Sequence, residues 1–218
     1  MMDKNQIGIQ YMQEGNLEEA AKAFHDAINE NPNDSVGFIN FGNVLAALGD
    51  HEKALKFYKK AMELDENAAA AYYSAGNLYY KSEDYENAKT MFETAMKKGL
   101  DTSDNYFMLA MTFVNLGQGK LALPYLQRSV ELNEKDAEAR FQYGLVLAQL
   151  DFIDEAMVQL EKCLEIEPNH ADAYYNLGVS YAFKENAEKA LEMFQKALDI
   201  QPDHLLAGHA KQLIETKQ

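Results

Sequence analysis

The chain has 218 residues and a formal charge of −15, from 35 acidic against 20 basic side chains. Only Arg128 and Arg140 are arginines. That balance repels phosphate backbones and anionic membranes, whose recognition depends on clustered Lys and Arg, so nucleic acid and membrane are poor partners.

The opening residues MMDKNQIGIQ lack the apolar segment of a secretory signal, and no apolar run approaches transmembrane length. The single Cys163 has no internal disulfide partner. A reducing cytoplasm is the expected setting.

The chain reads as paired helices, A then B, joined by short turns. Asp3 is the expected cap of the first helix A, with Gln6 three residues on. Asn16 is the expected cap of the first helix B, with Glu19 three residues on. Gly15, Gly49 and Gly117 occupy one place, the A–B turn, where positive φ is often needed. Asp151 and Glu185 stand there later in the chain, which predicts tighter or differently shaped turns. Pro32, Pro168 and Pro202 close three B helices, and Gly99-Leu100 closes another. Pro124 falls in the second turn of a helix B. Its equivalents Lys22, Lys56, Thr90, Val158 and Glu192 are mostly polar, so an outward-facing distortion is expected. Residues 205–218 begin like one more helix A. Leu205, His209 and Leu213 predict the packed stripe of a capping helix, and Lys211, Glu215 and Lys217 its wet side.

The elements recur every 34 residues without a gap. Leu177-Gly178, Tyr181, Ala190, Phe194, Ala197 and Pro202 mark the last period. Ile7-Gly8, Tyr11, Ala20, Phe24, Ala27 and Pro32 mark the first. The periods are 1–34, 35–68, 69–102, 103–136, 137–170 and 171–204. Gly8, Gly42, Gly76, Gly144 and Gly178 on helix A, with Ala20, Ala54, Ala88, Ala122, Ala156 and Ala190 on helix B, let two helices cross closely. Phe24, Tyr58, Phe92 and Phe194 fill the space beside that crossing. This pattern resembles the tetratricopeptide repeat family. The resemblance implies an all-α, right-handed superhelical solenoid of six helix–turn–helix repeats plus a C-terminal capping helix.

Catalytic chemistry finds no carrier. His25, His51, His170, His204 and His209 include no His-x-x-x-His pair, and His170 and His204 share one repeat position at the entry to a helix A. They read as turn or surface histidines, not metal ligands. Cys163 stands where other repeats carry Ala27, Ala61, Ala95, Ser129 and Ala197, and reads as a small buried residue. No nucleophile has a base, so neither enzyme activity nor a cofactor is expected.

The resemblance implies a concave groove, lined by the A helices, that binds an extended or helical peptide. The fifth repeat position supplies Tyr73, Phe107, Phe141 and Tyr175, either an aromatic ladder or packing between helices. The ninth supplies Asn43, Asn77 and Met111, and the sixth supplies Asn40, Met108, Gln142 and Asn176. Asn43 and Asn77 resemble the family's groove asparagines, whose amides read a peptide backbone. The family's carboxylate clamp needs basic residues. Starting at the second repeat, its five positions hold Ile39, Asn43, Ser74, Asp104 and Met108, so the pattern fails. The second position instead holds Asp104, Glu138 and Asp172, which either favour the helix dipole or line the groove as an acidic stripe. The expected function is non-catalytic binding of a protein or peptide with basic and apolar side chains. The alternative is a structural scaffold or homo-oligomerising adaptor that positions an enzyme complex.

Overall fold

The computed structural model describes residues 3–216, and thirteen helices make up its regular structure with no strand among the described residues. They are α1 (Lys4–Gln13), α2 (Leu17–Glu30), α3 (Ser35–Ala47), α4 (His51–Leu64), α5 (Ala69–Lys81), α6 (Tyr85–Lys97) and α7 (Ser103–Asn115). There follow α8 (Gly119–Leu132), α9 (Ala137–Gln149), α10 (Ile153–Ile166), α11 (Ala171–Phe183), α12 (Ala187–Ile200) and α13 (Leu205–Glu215). The chain divides into two compact units, residues 1–116 and 117–218. Within each unit, every B helix packs on the A helix that follows it, as α2 does on α3 and α10 on α11.

Helix starts are fixed mainly by side-chain caps. Asp34, Asp50, Asp84 and Asp136 each accept a backbone N–H from the first turn of the helix they precede. Asp3 caps α1 as expected. Asn16 does not cap α2: its amide donates to the Glu14 carboxylate instead. His170 and His204 do cap. Their Nδ1 atoms accept from Ala173 and Ala207 N–H at 3.2 Å each.

The A–B turns are alike whether or not glycine is present. Gly15, Gly49 and Gly117 have φ of 77°, 85° and 72°. Glu83, Asp151 and Glu185 adopt 61°, 65° and 59° at the same place. The hydrogen bonds also repeat. Gly15 N–H donates to Met12 O at 3.1 Å and Asn16 N–H to Tyr11 O at 2.8 Å. Glu185 N–H donates to Ala182 O at 3.0 Å and Asn186 N–H to Tyr181 O at 2.9 Å. The expected change of turn shape at Asp151 and Glu185 is therefore absent. Helices packed on both sides impose the left-handed residue, and the side chain bears the strain.

Between paired helices the contact is glycine against ring. A Cβ on Gly8 would lie 2.5 Å from Phe24, on Gly42 2.5 Å from Tyr58, on Gly76 2.7 Å from Phe92 and on Gly178 2.6 Å from Phe194. The rings are buried, and so are the alanines beside them. At Gly144 the partner is the smaller Leu160, and the added carbon would stand 3.0 Å away. Tyr58 also donates its hydroxyl to Asn43 Oδ1 at 2.8 Å, and burial pushes that hydroxyl up to about 12. Cys163 is buried with the core of α10 and α11, and burial pushes its thiol up to about 11, which suppresses the reactive thiolate.

Two further expectations meet the structure differently. Pro124 is exposed as predicted, but it lies inside the continuous helix α8. The cap helix α13 is turned the other way. Leu205 is 85% exposed, and His209 and Leu213 also face solvent. Ala207 is the buried residue, with Ala210, Lys211 and Ile214 half-buried, and Lys211 donates to Gln195 on α12. Lys217 lies outside the described residues.

The crossing geometry makes Gly76→Ala costly by about 1–3 kcal/mol, because a buried ring must shift. Gly144→Ala should be near neutral, since the looser Leu160 contact is offset by about 0.5–1 kcal/mol of recovered helix propensity. Urea midpoints of the two variants check this ordering. In the turns, Glu83→Gly, Asp151→Gly and Glu185→Gly should each stabilise by about 0.5 kcal/mol, the relieved left-handed strain exceeding the added chain entropy; melting temperatures that fall in all three would contradict it. Tyr58 supplies a pH dependence. Its folded pKa is raised, so its contribution is complete below the ordinary tyrosine value near 10 and disappears as pH rises through about 12. Denaturation from pH 9 to 12 should show a loss on the order of 2 kcal/mol that Tyr58→Phe lacks.

Candidate functional site on the A-helix face

Each A helix buries one stripe and opens another. The third, eighth and tenth repeat positions are buried from the second repeat to the sixth: Ala71, Gly76 and Leu78 on α5, for example. The second, sixth, ninth and thirteenth positions are exposed or half-buried throughout the same range. Their spacing of four, three and four residues defines one helical face. On α7 that face carries Asp104, Met108, Met111 and Asn115; on α11 it carries Asp172, Asn176, Val179 and Phe183. Successive A helices touch within each unit: α3 with α5 and α5 with α7, α9 with α11 and α11 with α13. The open stripes therefore lie side by side.

In the N-terminal unit the asparagines are partly engaged. Asn43 Oδ1 accepts from Tyr58 and, at 3.0 Å, from the Ser74 hydroxyl, so it ties α3 to α4 and α5. Asn40 is half-buried with its Nδ2 unpaired and buried. Tyr73 packs on Phe92, with ring centroids 5.8 Å apart. Burial raises its hydroxyl above the ordinary tyrosine range; the Asn77 amide opposes the shift and the nearby Asp104 carboxylate adds to it. Asp104 is exposed in the first turn of α7, and Phe107, Met108 and Met111 beside it are half-buried. Asn115 Nδ2 reaches back to the Tyr80 hydroxyl at 2.9 Å, clamping α7 to α5.

The C-terminal unit arranges acid, ring and histidine together. Tyr175 packs on Phe194 at 5.9 Å and on His204 at 5.2 Å between centroids. His204, 6% exposed, pairs its Nε2 with Asp172 Oδ1 at 3.1 Å while its Nδ1 caps α13. It is a turn histidine, as one of the two expected settings had it, and it is buried. Phe141 lies 4.4 Å from the His170 ring and is only 8% exposed, so it belongs mainly to the core. Glu138 remains exposed and accepts from Gln142, and the Asn176 amide donates to Asp172 O. Tyr73, Phe141 and Tyr175 are thus seated against rings of their own repeat, and Phe107 is half-buried.

Sequence reasoning missed the thirteenth position. Phe183 there is 66% exposed, four residues beyond Val179 on the same face. The signal was the helical period itself, carried one turn further. It also missed the capping role of His170 and His204, although both stand one residue before a helix A in identical register. No described helix is long and apolar enough to cross a membrane.

Tetratricopeptide repeat profiles match residues 6–34 and 171–204, and a TPR repeat profile matches 42–90. A profile of anaphase-promoting complex, cyclosome, subunit 3 matches residues 82–163. The chain is similar to the crystal structure of YrrB, a TPR protein with an unusual peptide-binding site. Identity is 56%, the match covers 88% of this chain and 99% of that one, and the TM-score is 0.83. MamA is 25% identical over 74% of this chain and 94% of its own, with a TM-score of 0.70. Pseudomonas aeruginosa pilF, at 18% identity, shares the fold over 99% of this chain and 96% of its own, with a TM-score of 0.82. No curated protein matches. With helix pairs, repeat profiles and extended identity all agreeing, the chain belongs to the tetratricopeptide repeat family of protein–protein interaction modules.

Proposed function

We propose that the open A-helix face of each unit is a non-catalytic docking strip for a peptide or protein segment carrying basic and apolar side chains. The six 34-residue repeats and the segment 205–218 set out from the sequence are the proposed building blocks of that body. The observation that supports the reading is that exposed acids of the open face neighbour half-buried or exposed apolar side chains on the same A helices and the one before. Asp104 stands with Tyr73, Phe107 and Met111 in one unit, and Asp172 with Tyr175 and Val179 in the other. Apolar contacts supply most of the affinity, because exposed ion pairs are worth only about 0–1 kcal/mol each. The acids set selectivity and association rate through a salt-screened attraction.

Homo-oligomerisation is the second reading. It is favoured by apolar side chains on outer surfaces: Leu205, Leu206 and Leu213 on α13, and Ile9 on α1. Light scattering over a concentration range separates the two readings, since a docking module stays monomeric.

For the docking strip, a panel of capped peptides is titrated against the full chain. Phe107→Ala with Tyr175→Ala should weaken the best basic–apolar peptide at least about tenfold. Asp104→Asn with Glu138→Gln should change affinity less than about threefold at 0.15 M salt while flattening its salt dependence. Acidic C-terminal tails emerging as the best ligands would overturn the reading.

A further inference from the structure

The N-terminal unit holds a cleft of 420 Å³ on its B-helix side, between α4 and α6 with α5 as its floor. Its apolar wall is Leu55, Met62, Ala75, Tyr79 and Met91. Lys56 and Lys59 stand at its rim with Glu52.

The cleft exists because one seam lacks the rings that its neighbour has. In the seam between α2 and α4, Phe41 stands edge-on to Phe57, centroids 4.7 Å apart at 87°, with His25 6.3 Å from Phe41. One repeat later the same three positions hold Ala75, Met91 and Lys59. The seventh repeat position reads Ile7, Phe41, Ala75, Leu109, Tyr143 and Leu177, so Ala75 alone is small. Leu177 fills its seam in the other unit, packed with Leu160, Cys163 and Met193. Where the other repeats place a bulky side chain, this one leaves room for one.

Charge at the mouth narrows the occupant. The charged residues that line it are Lys56, Lys59 and Glu52, a local excess of one positive charge in a chain of net −15. Lys56 is held by Glu52 at 2.6 Å, but both side chains are largely exposed, so the pair is weak and exchangeable for an incoming carboxylate. Met62 and Met91 are flexible walls that adjust to a ring's outline and make favourable sulfur–aromatic contacts.

We propose that this cleft receives a phenylalanine-type ring from a partner peptide whose flanking residues are acidic. The ring restores the aromatic packing that the preceding seam supplies internally. The flanking carboxylates meet Lys56 and Lys59. The chain then has two recognition faces of opposite charge preference, and this one is independent of the A-helix strip.

The test uses the full chain with ¹³C-methyl-labelled methionine. The probe is the capped peptide Asp-Glu-Phe-Glu-Asp, with matched peptides in which the ring is replaced by a methyl or the acids by lysines. Titration should shift the Met62 and Met91 methyl signals, and both control peptides should bind at least about tenfold more weakly. Ala75→Leu, the residue found at this position in two other repeats, fills the cleft. It should melt no lower than the parent and lose at least about tenfold in affinity. Lys56→Glu with Lys59→Glu leaves the wall intact and should abolish the preference for acidic flanks. The proposal is overturned if no peptide shifts these methyls, if Ala75→Leu binds as the parent does, or if the lysine-flanked peptide binds equally well. Occupation by octanoate with no peptide binding would also overturn it, since the cleft would then be a small-molecule site.

Discussion

In four of the helix pairs, the outward display of the A helices depends on an aromatic ring lying against a missing side chain. Phe24 on Gly8, Tyr58 on Gly42, Phe92 on Gly76 and Phe194 on Gly178 occupy the volume where a Cβ would sit. That contact fixes the distance between paired helices and also their rotation. Turning helix A by one residue, about 100°, would bring a real side chain into the ring. Once rotation is fixed, the second, sixth, ninth and thirteenth positions must face outward. The open strip is thus a by-product of the crossing, and its composition varies without disturbing it.

This steric rule is why so much of the fold was legible. It is written at a constant spacing, in residue types that few other constraints would select. What misled the sequence reading were places where a local preference competed with the register. The turns at Asp151 and Glu185 look unfavourable for positive φ, yet the packed helices on either side hold them there. Hydrophobicity alone assigns Leu205, His209 and Leu213 to the buried side of α13. The register assigns Ala207 instead, because the third position is buried in Gly37, Ala71, Asn105, Ala139 and Ala173 alike. The register was right. The crossing admits small residues at that position and does not ask for large apolar ones.

The site was less legible than the fold, for a physical reason. Exposure of a side chain depends on what its neighbours across the helix seam happen to be, and that is long-range in sequence. Tyr175 and Phe141 occupy the same repeat position, yet Phe141 lies 4.4 Å from His170 and is buried, while Tyr175 lies 5.2 Å from His204 and is half-buried. His204 shows the same effect. A turn histidine can be buried there because both its nitrogens are satisfied, one by the α13 backbone and one by Asp172.

The seams between repeats obey a softer rule than the crossings within them. A ring-filled crossing leaves little room for an added atom, because a Cβ on Gly8, Gly42, Gly76 or Gly178 would lie within 2.7 Å of the ring. A seam tolerates Phe41, Ala75 or Leu177 at one position, because neighbouring repeats are separately braced by their own helix pairs. Emptying a seam costs the apolar burial of one side chain, on the order of 1.5–3 kcal/mol, and that loss stays local in a repeat array. A crossing changed in the same way would misplace an entire helix. Variation that creates recognition surfaces is therefore steered to two places: the outward A-helix stripes, where nothing packs, and the seams, where a lost ring leaves a shaped space without altering the path of the chain.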